Sequence, residues 1–164
     1  MLVAESLFMT KPAQDEKTIC VNRRARFDYI IEEKYEAGLV LTGGEVKSLR
    51  DGRANLKDSY GRVEKGELVL LNAHINNYEP AHYFNGDPTR TRKLLMHKKE
   101  IMRLMGKVQE QGLTLIPLRL YFKKGRAKVE LALGRGKKLY DKRATIRERE
   151  VKRDIARAMR RGKE

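Results

Sequence analysis

Cysteine is almost absent from the chain: Cys20 is the single one in 164 residues. That excludes an internal disulfide and a multi-cysteine zinc site, and it fits a reducing, cytoplasmic compartment. Cys20 reads as a small buried hydrophobe. The three histidines, His74, His82 and His97, lack HxxxH or any other metal-type spacing, so no metal centre is expected. Long apolar runs are missing as well. The opening "MLVAESLFMTKP" has no basic n-region and its short apolar run is broken by Glu5, so neither a signal peptide nor a membrane anchor is expected. GxxxxGKS/T, GxGxxG after a strand and GxSxG do not occur. The adjacent Glu32 and Glu33 point to opposite faces of a strand, which prevents them from acting together as acid and base. With no converging reactive groups and no cofactor fingerprint, the expectation is a protein without catalysis and without a cofactor.

Acidic residues are also in short supply, with 22 Asp and Glu against 37 Lys and Arg, a net charge of +15 and a pI near 10.0. The last 31 residues, from Gly134, hold 13 basic and 5 acidic side chains and so carry +8 of that excess. The remainder is itself net positive. Basicity over both segments points to a polyanion bound by phosphate neutralisation and counterion release. A membrane surface would require an amphipathic face with large hydrophobes, which the tail lacks.

Residues 1–18 show no periodicity and read as a disordered extension, with order beginning near Ile19. Residues 19–133 alternate short strands with two helices and suffice for one core. "FDYIIEEKYEAGLVLT", residues 27–42, reads as a strand bending at Ala37-Gly38. Thr42 and Glu45 have capping-box spacing, Val46 and Leu49 share a helical face, and Gly52 sits at the stop, which predicts a helix over about 44–51. "SYGRVEKGELVLLNAHI" reads as a hairpin around Glu-Lys-Gly, followed by the loop "NYEPAHYFNGDPTRTR". Ile101, Leu104, Met105 and Val108 then repeat at helical spacing up to Gly112. In "LTLIPLRLYFKKGRAKVELAL", Leu118, Leu120 and Phe122 alternate with Arg119, Tyr121 and Lys123, and Val129, Leu131 and Leu133 alternate with Lys128, Glu130 and Ala132. That pattern describes a half-buried hairpin with a basic outer face. The fold class these patterns predict is mainly β: an OB-type antiparallel β-barrel with flanking helices and a disordered basic C-terminal tail, with an open α+β sandwich as the alternative.

Binding chemistry concentrates in three places. "NRRARFDY" sets Asn22, Arg23, Arg24 and Arg26 beside Phe27 and Tyr29, combining guanidinium forks for phosphate with rings on which bases stack. "DPTRTRKLLMHKK" places Arg90, Arg92, Lys93, Lys98 and Lys99 near a helix start. The tail is the third. "TGGE" at 42–45 has the makings of an anion-binding helix start, and its glycines serve a tight strand-to-helix turn equally well.

"NRRARFDYIIEEKYEAGLVLTGGEVKSLRDGRANLKDSY", "DPTRTRKLL" and "GKKLYDKR" closely resemble the family of small protein B, the SsrA-binding proteins, in the same order and from about residue 20 to the middle of the tail. The resemblance implies an OB-type barrel and a non-enzymatic role. It implies binding to the tRNA-like domain of transfer-messenger RNA, which is carried with EF-Tu into the vacant A site of a stalled ribosome. There the RNA's own reading frame tags the nascent chain for proteolysis. It further implies that the tail, residues 134–164, enters the 16S rRNA decoding centre and empty mRNA channel of the small subunit and becomes helical there. The family's RNA-contact glutamate falls on Glu36 in "YEAGL", where a carboxylate accepts from base amino or imino groups. The second contact region falls on Leu95 and His97. Some relatives carry Asn at the latter position; His97 fits an RNA contact or a plain helix start, and Leu95 fits an RNA contact or the core.

In the tail, the family's functional motif falls on Asp141, Lys142 and Arg143, preceded by Gly136, Lys137 and Lys138. Tyr140 stands where some relatives have His, and either ring stacks on a base. Val151, Ile155 and Met159 recur every four residues as a narrow apolar stripe. Like-charge repulsion predicts that the tail stays largely unfolded away from RNA. A general structured-RNA or rRNA-binding OB protein is the alternative function; it accounts for the charge and the barrel and leaves the three combined motifs unexplained.

Overall fold

A computed structural model describes residues 16–78 and 86–162. Most of the expected N-terminal extension and His82 lie outside those residues, as does the side chain of Tyr140. Strand β1 (Glu16–Val21) leads to a one-turn helix α1 (Ala25–Asp28) and the long β2 (Tyr29–Leu39). Helix α2 (Gly43–Arg50) is followed by the short β3 (Ala54–Asn55), then β4 (Tyr60–Glu64), β5 (Glu67–Leu71) and the short β6 (His74–Ile75). Then come β7 (Arg92–Leu95), α3 (Lys98–Gln111), β8 (Thr114–Lys123), β9 (Arg126–Gly136) and α4 (Leu139–Arg161).

The main sheet runs β1-β8-β4-β5-β7-β2-β9, and β9 also pairs with β8, so six strands close into an antiparallel barrel with β1 added on β8. Closure works because one edge of β8 is shared. Its early part meets β4 at Gly61↔Leu115, and its later part meets β1 from Arg119 to Lys123. Gly61 permits that junction: a Cβ there would lie 3.1 Å from the Leu115 Cβ. The hairpin turns carry positive φ at Lys65-Gly66 and Lys124-Gly125, the two-residue geometry whose twist suits antiparallel strands.

Inside lie Ala37, Leu39, Leu68, Leu70, Leu94, Leu115, Leu120, Val129, Leu131 and Leu133, with Leu49 of α2 and Ile101 and Leu104 of α3 packed against them. The alternation of β9 is as the sequence predicts. That of β8 is not, because its register shifts between Pro117 and Arg119, leaving Leu118 as the extra residue of a bulge. Leu118 therefore leaves the face of Leu120 and joins Ile116, Ala25 and Ala132 in a second apolar cluster, against which Tyr29 and Ile31 pack.

Gly134 sits under this cluster. A Cβ there would lie 2.6 Å from Ile116 Cδ1 and 3.1 Å from Tyr29 Cβ. Gly134→Ala is expected to lower stability by about 1–3 kcal/mol, the range for overpacking a filled site. Urea unfolding measures it, and an unchanged midpoint would show that the cluster yields without strain.

Three boundaries differ from the sequence reading. Strand β1 already includes Glu16, Lys17 and Thr18, upstream of the predicted start at Ile19, because β8 partners it through Glu16↔Lys123. The predicted barrel end at Leu133 falls within β9, which continues to Gly136 opposite Tyr29. The tail, expected to be unfolded, is a helix from Leu139 to Arg161. Its Arg, Lys, Glu and Ala content favours helix, Glu148–Lys152 (2.7 Å) pairs at i,i+4, and its first turns are tied to α1.

Candidate nucleic-acid interface

Period-two alternation turns Tyr35 and Ala37 into the barrel and leaves Glu36 and Gly38 on its outer wall. Gly38 pairs with Leu95 of β7, so Glu36 and Leu95 share that outer face. Leu95 is 55% exposed, which excludes it from the core. Beside it lies a groove of about 320 Å³ whose lining includes Leu41, Val46 and Phe122 together with Arg126 and Lys128. His97, two residues past Leu95, is the N-cap of α3, where its side chain makes no capping hydrogen bond, and Lys98 and Lys99 follow, both exposed.

The Glu36 carboxylate is held from across the sheet. The Tyr121 hydroxyl donates to its Oε2, and Lys123 Nζ lies 3.3 Å from the same oxygen. The Tyr121 hydrogen bond, opposed by partial burial and assisted by Lys123 and Lys128, holds Glu36 below the usual carboxylate range. Glu36 is therefore an ionised acceptor in a basic setting. Burial and the Glu36 charge push the Tyr121 phenol well above its ordinary range, so it remains a donor. Sequence reasoning put Tyr121 and Lys123 on the basic outer stripe without assigning them to the site. The usable signal was their register with Glu36, which requires the β2–β9–β8 order.

The remaining predicted residues divide into groups. Arg92 is a correction: it is 0% exposed and each of its three guanidinium nitrogens donates to a protein oxygen. Nε donates to Glu45, Nη1 to the carbonyls of Ala73 (2.6 Å) and Arg90 (3.2 Å), and Nη2 to that of Pro88 (2.8 Å). Alternation along "TRKLL" decides this, since it sends Arg92 and Leu94 inward together. Arg90 also donates to Glu45, through Nε at 3.0 Å. Asn22 is turned inward to latch the start of α1, with Nδ2 donating to Pro117 O at 3.0 Å and Leu56 O at 3.4 Å. Lys93 stays on the surface, paired with Glu67 at 2.9 Å.

Arg23, Arg24 and Arg26 are exposed, and the fold joins them to the tail instead of to Glu36. The Lys137 amide donates to Asp28 O (2.9 Å) and its Nζ to Arg26 O (3.0 Å), while Lys142 lies 3.5 Å from the Asp28 carboxylate. Arg149 sits over the Phe27 ring, 5.5 Å from its centroid. The α1 arginines and the region of Gly136, Lys137, Lys138, Asp141, Lys142 and Arg143 thus form one basic surface, roughly 25 Å along β2 from Glu36. Beyond its first turns α4 is solvated, and Val151, Ile155 and Met159 are 56%, 50% and 68% exposed.

Among the described residues no group of His, Cys, Asp and Glu is arranged to hold a metal, and no helix is long and apolar enough to cross a membrane.

Comparison with known proteins adds the following. A family model described as SmpB protein matches residues 19–161. The chain is 65% identical over 147 residues to the SsrA-binding protein of Desulforudis audaxviator, covering 90% of this chain and 96% of the relative. It is 63% identical over 145 residues to the SsrA-binding protein of Moorella thermoacetica, covering 88% and 94%. A solved chain from work described as "tmRNA-SmpB: a journey to the center of the bacterial ribosome" is 56% identical, with a TM-score of 0.62, covering 73% of this chain and 85% of its own.

Proposed function

The chain belongs to the SmpB protein family, and from that premise we propose that it binds the tRNA-like domain of transfer-messenger RNA and delivers it to the A site of stalled ribosomes for trans-translation. It works in the cytoplasm and without catalysis. The outer barrel face takes the RNA, with Glu36, Leu95, His97 and Lys98 in contact and Arg90 and Lys93 at its margin. The tail surface, with Arg23, Arg24 and Arg26 beside Lys137, Lys138, Tyr140, Asp141, Lys142 and Arg143, meets the 16S rRNA decoding centre and mRNA channel. EF-Tu rides on the charged RNA.

One observation carries this reading: an ionised, 40% exposed carboxylate, Glu36, stands on a basic face. A surface built only for phosphates gains nothing from such a group, because like charges repel there. A surface that reads base donors requires an acceptor. The general RNA-binding alternative predicts equal affinity for any structured RNA.

Glu36→Gln keeps the side chain's size and removes its charge. It is expected to reduce the preference for the tRNA-like domain over an ordinary tRNA by roughly tenfold, within the range for one base-reading pair. Lys98→Ala is expected to weaken both RNAs alike and to lower the slope of log affinity against log salt by about one. Competition binding at several salt concentrations measures both. Equal losses on the two RNAs for Glu36→Gln would rule out base reading by this residue.

A further inference from the structure

We infer that Tyr121 is a positioning residue for RNA recognition: it holds Oε2 of Glu36 from within the barrel wall and so reserves Oε1 for the base donor. The inference rests on the reading of Glu36 as an RNA contact and concerns how that contact is made selective.

A glutamate on an open strand face samples many rotamers, and ordering it on binding weakens the contact it makes. Here the ordering is done in advance. Tyr121 is 2% exposed, so its ring cannot swing. Arg119 lies on that ring, 4.2 Å from the centroid. Arg119 is itself pinned on both sides, to Glu130 of β9 at 3.1 Å and Glu16 of β1 at 3.2 Å. The chain of restraint therefore involves four strands, from Glu16 of β1 and Glu130 of β9 through Arg119 and Tyr121 of β8 to Glu36 of β2.

A buried phenol needs a partner for its hydroxyl, and the hydrogen bond this one makes is to a carboxylate that is partly in solvent. A phenol placed only for packing would be served as well by phenylalanine. Lys123 Nζ, 3.3 Å from Oε2 and 3.5 Å from Oε1, completes the clamp from the solvent side. Oε2 then has two donors and Oε1 only the more distant lysine. A fixed acceptor with one oxygen presented discriminates by direction, which a mobile carboxylate does not. Lys128, and Glu130 directly opposite Glu36 in the register, are further charged neighbours of this carboxylate, and Lys34 shares its face of β2.

The test uses the full-length protein with two probes, a transcript of the tRNA-like domain and an ordinary tRNA, and reads the ratio of their Kd values. Tyr121→Phe is expected to lower that ratio about fivefold, the scale of losing one orienting hydrogen bond to a charged group, with the salt slope unchanged. In a Glu36→Ala background, which removes both oxygens, Tyr121→Phe is expected to change nothing further. NMR titration of the Glu36 carboxyl supplies a readout that packing alone does not move: in Tyr121→Phe its midpoint rises towards the ordinary 4.5. If Glu36→Ala lowers the ratio while Tyr121→Phe leaves it intact, or lowers it equally with and without Glu36, the positioning role is overturned and the reading of Glu36 stands. If Glu36→Ala itself leaves the ratio unchanged, the contact reading falls and the positioning role falls with it.

Discussion

Ending the chain at Lys138 is expected to abolish peptide tagging on stalled ribosomes while leaving the selectivity for the tRNA-like RNA within about threefold of the intact protein, since the loss is one of unspecific charge. The barrel closes without α4: its six strands pair among themselves, and β9 ends at Gly136. Cutting there, and not at Leu133, preserves the pairing of Gly134, Arg135 and Gly136 with the start of β2. It also keeps the Lys137 hydrogen bonds to Asp28 and Arg26. What is lost is a helix that is exposed over most of its length, with an apolar stripe of Val151, Ile155 and Met159 that meets no part of the barrel core. An exposed stripe on a basic helix serves a partner that is polyanionic and also offers a surface to pack on. Tagging in a reconstituted stalled-ribosome reaction and competition binding of the free RNA are the two measurements. A truncated protein that keeps its native circular dichroism and loses RNA selectivity would overturn the division between barrel and tail.

Much of this arrangement is legible in the residues. The Thr42–Glu45 capping box is present as spaced, and α3 stops at Gly112, whose φ is 63°. Alternation in β9 gives its inward residues correctly. Local pattern fails where the decision is made by a distant partner. The β8 bulge at Leu118 is marked locally only by Pro117, which cannot donate to a ladder, and nothing local shows that it creates the second cluster that seats α1. Arg92 looks like a phosphate ligand beside Arg90; alternation along "TRKLL" turns it inward, but the partners that make an interior place for a guanidinium, Glu45 from α2 and the Ala73 and Pro88 carbonyls, come from elsewhere in the chain. The motif singles out Glu36 as a candidate contact and gives no hint of its Tyr121 partner, because their meeting depends on a separation of 85 residues. The α1 arginines follow the same rule: they adjoin Glu36 in sequence, but the length of β2 carries them to the other end of the wall.

Arg92 supplies the second large effect, on stability and not on RNA. Glu45 is 12% exposed at the side chain and ties α2 to the loop before β7 and to β7 itself. It closes the α2 capping box by accepting from the Thr42 amide at 3.0 Å. It also accepts from Arg90 in the loop before β7 and from Arg92 at the start of β7, while Arg92 reaches Ala73 beside β6. Glu45→Ala leaves a buried guanidinium without its countercharge and is expected to lower stability by about 3–5 kcal/mol. Arg92→Met keeps most of the volume and leaves Glu45 with Arg90 and the cap. Its loss should be smaller, about 1–3 kcal/mol, and the double variant should lose less than the sum of the two.

The pH dependence follows from the direction of the Glu45 shift. Burial raises its pKa, but the hydrogen bonds from Arg90, the Thr42 amide and Arg92 outweigh that and leave it below the ordinary 4.5. A lowered folded pKa gives stability that is present in full above the unfolded value and is lost as pH falls through the folded one. The gap between the wild type and Glu45→Gln should therefore be constant near neutrality and close progressively below about pH 4.5. In RNA competition at a temperature where the variant is folded, Arg92→Met should keep the wild-type salt slope, unlike Lys98→Ala, because Arg92 neutralises no phosphate. Urea titrations over pH, with the salt series beside them, decide the matter. A loss under about 1 kcal/mol for Glu45→Ala, or a reduced salt slope for Arg92→Met, would return Arg92 to the RNA surface and remove it from the core.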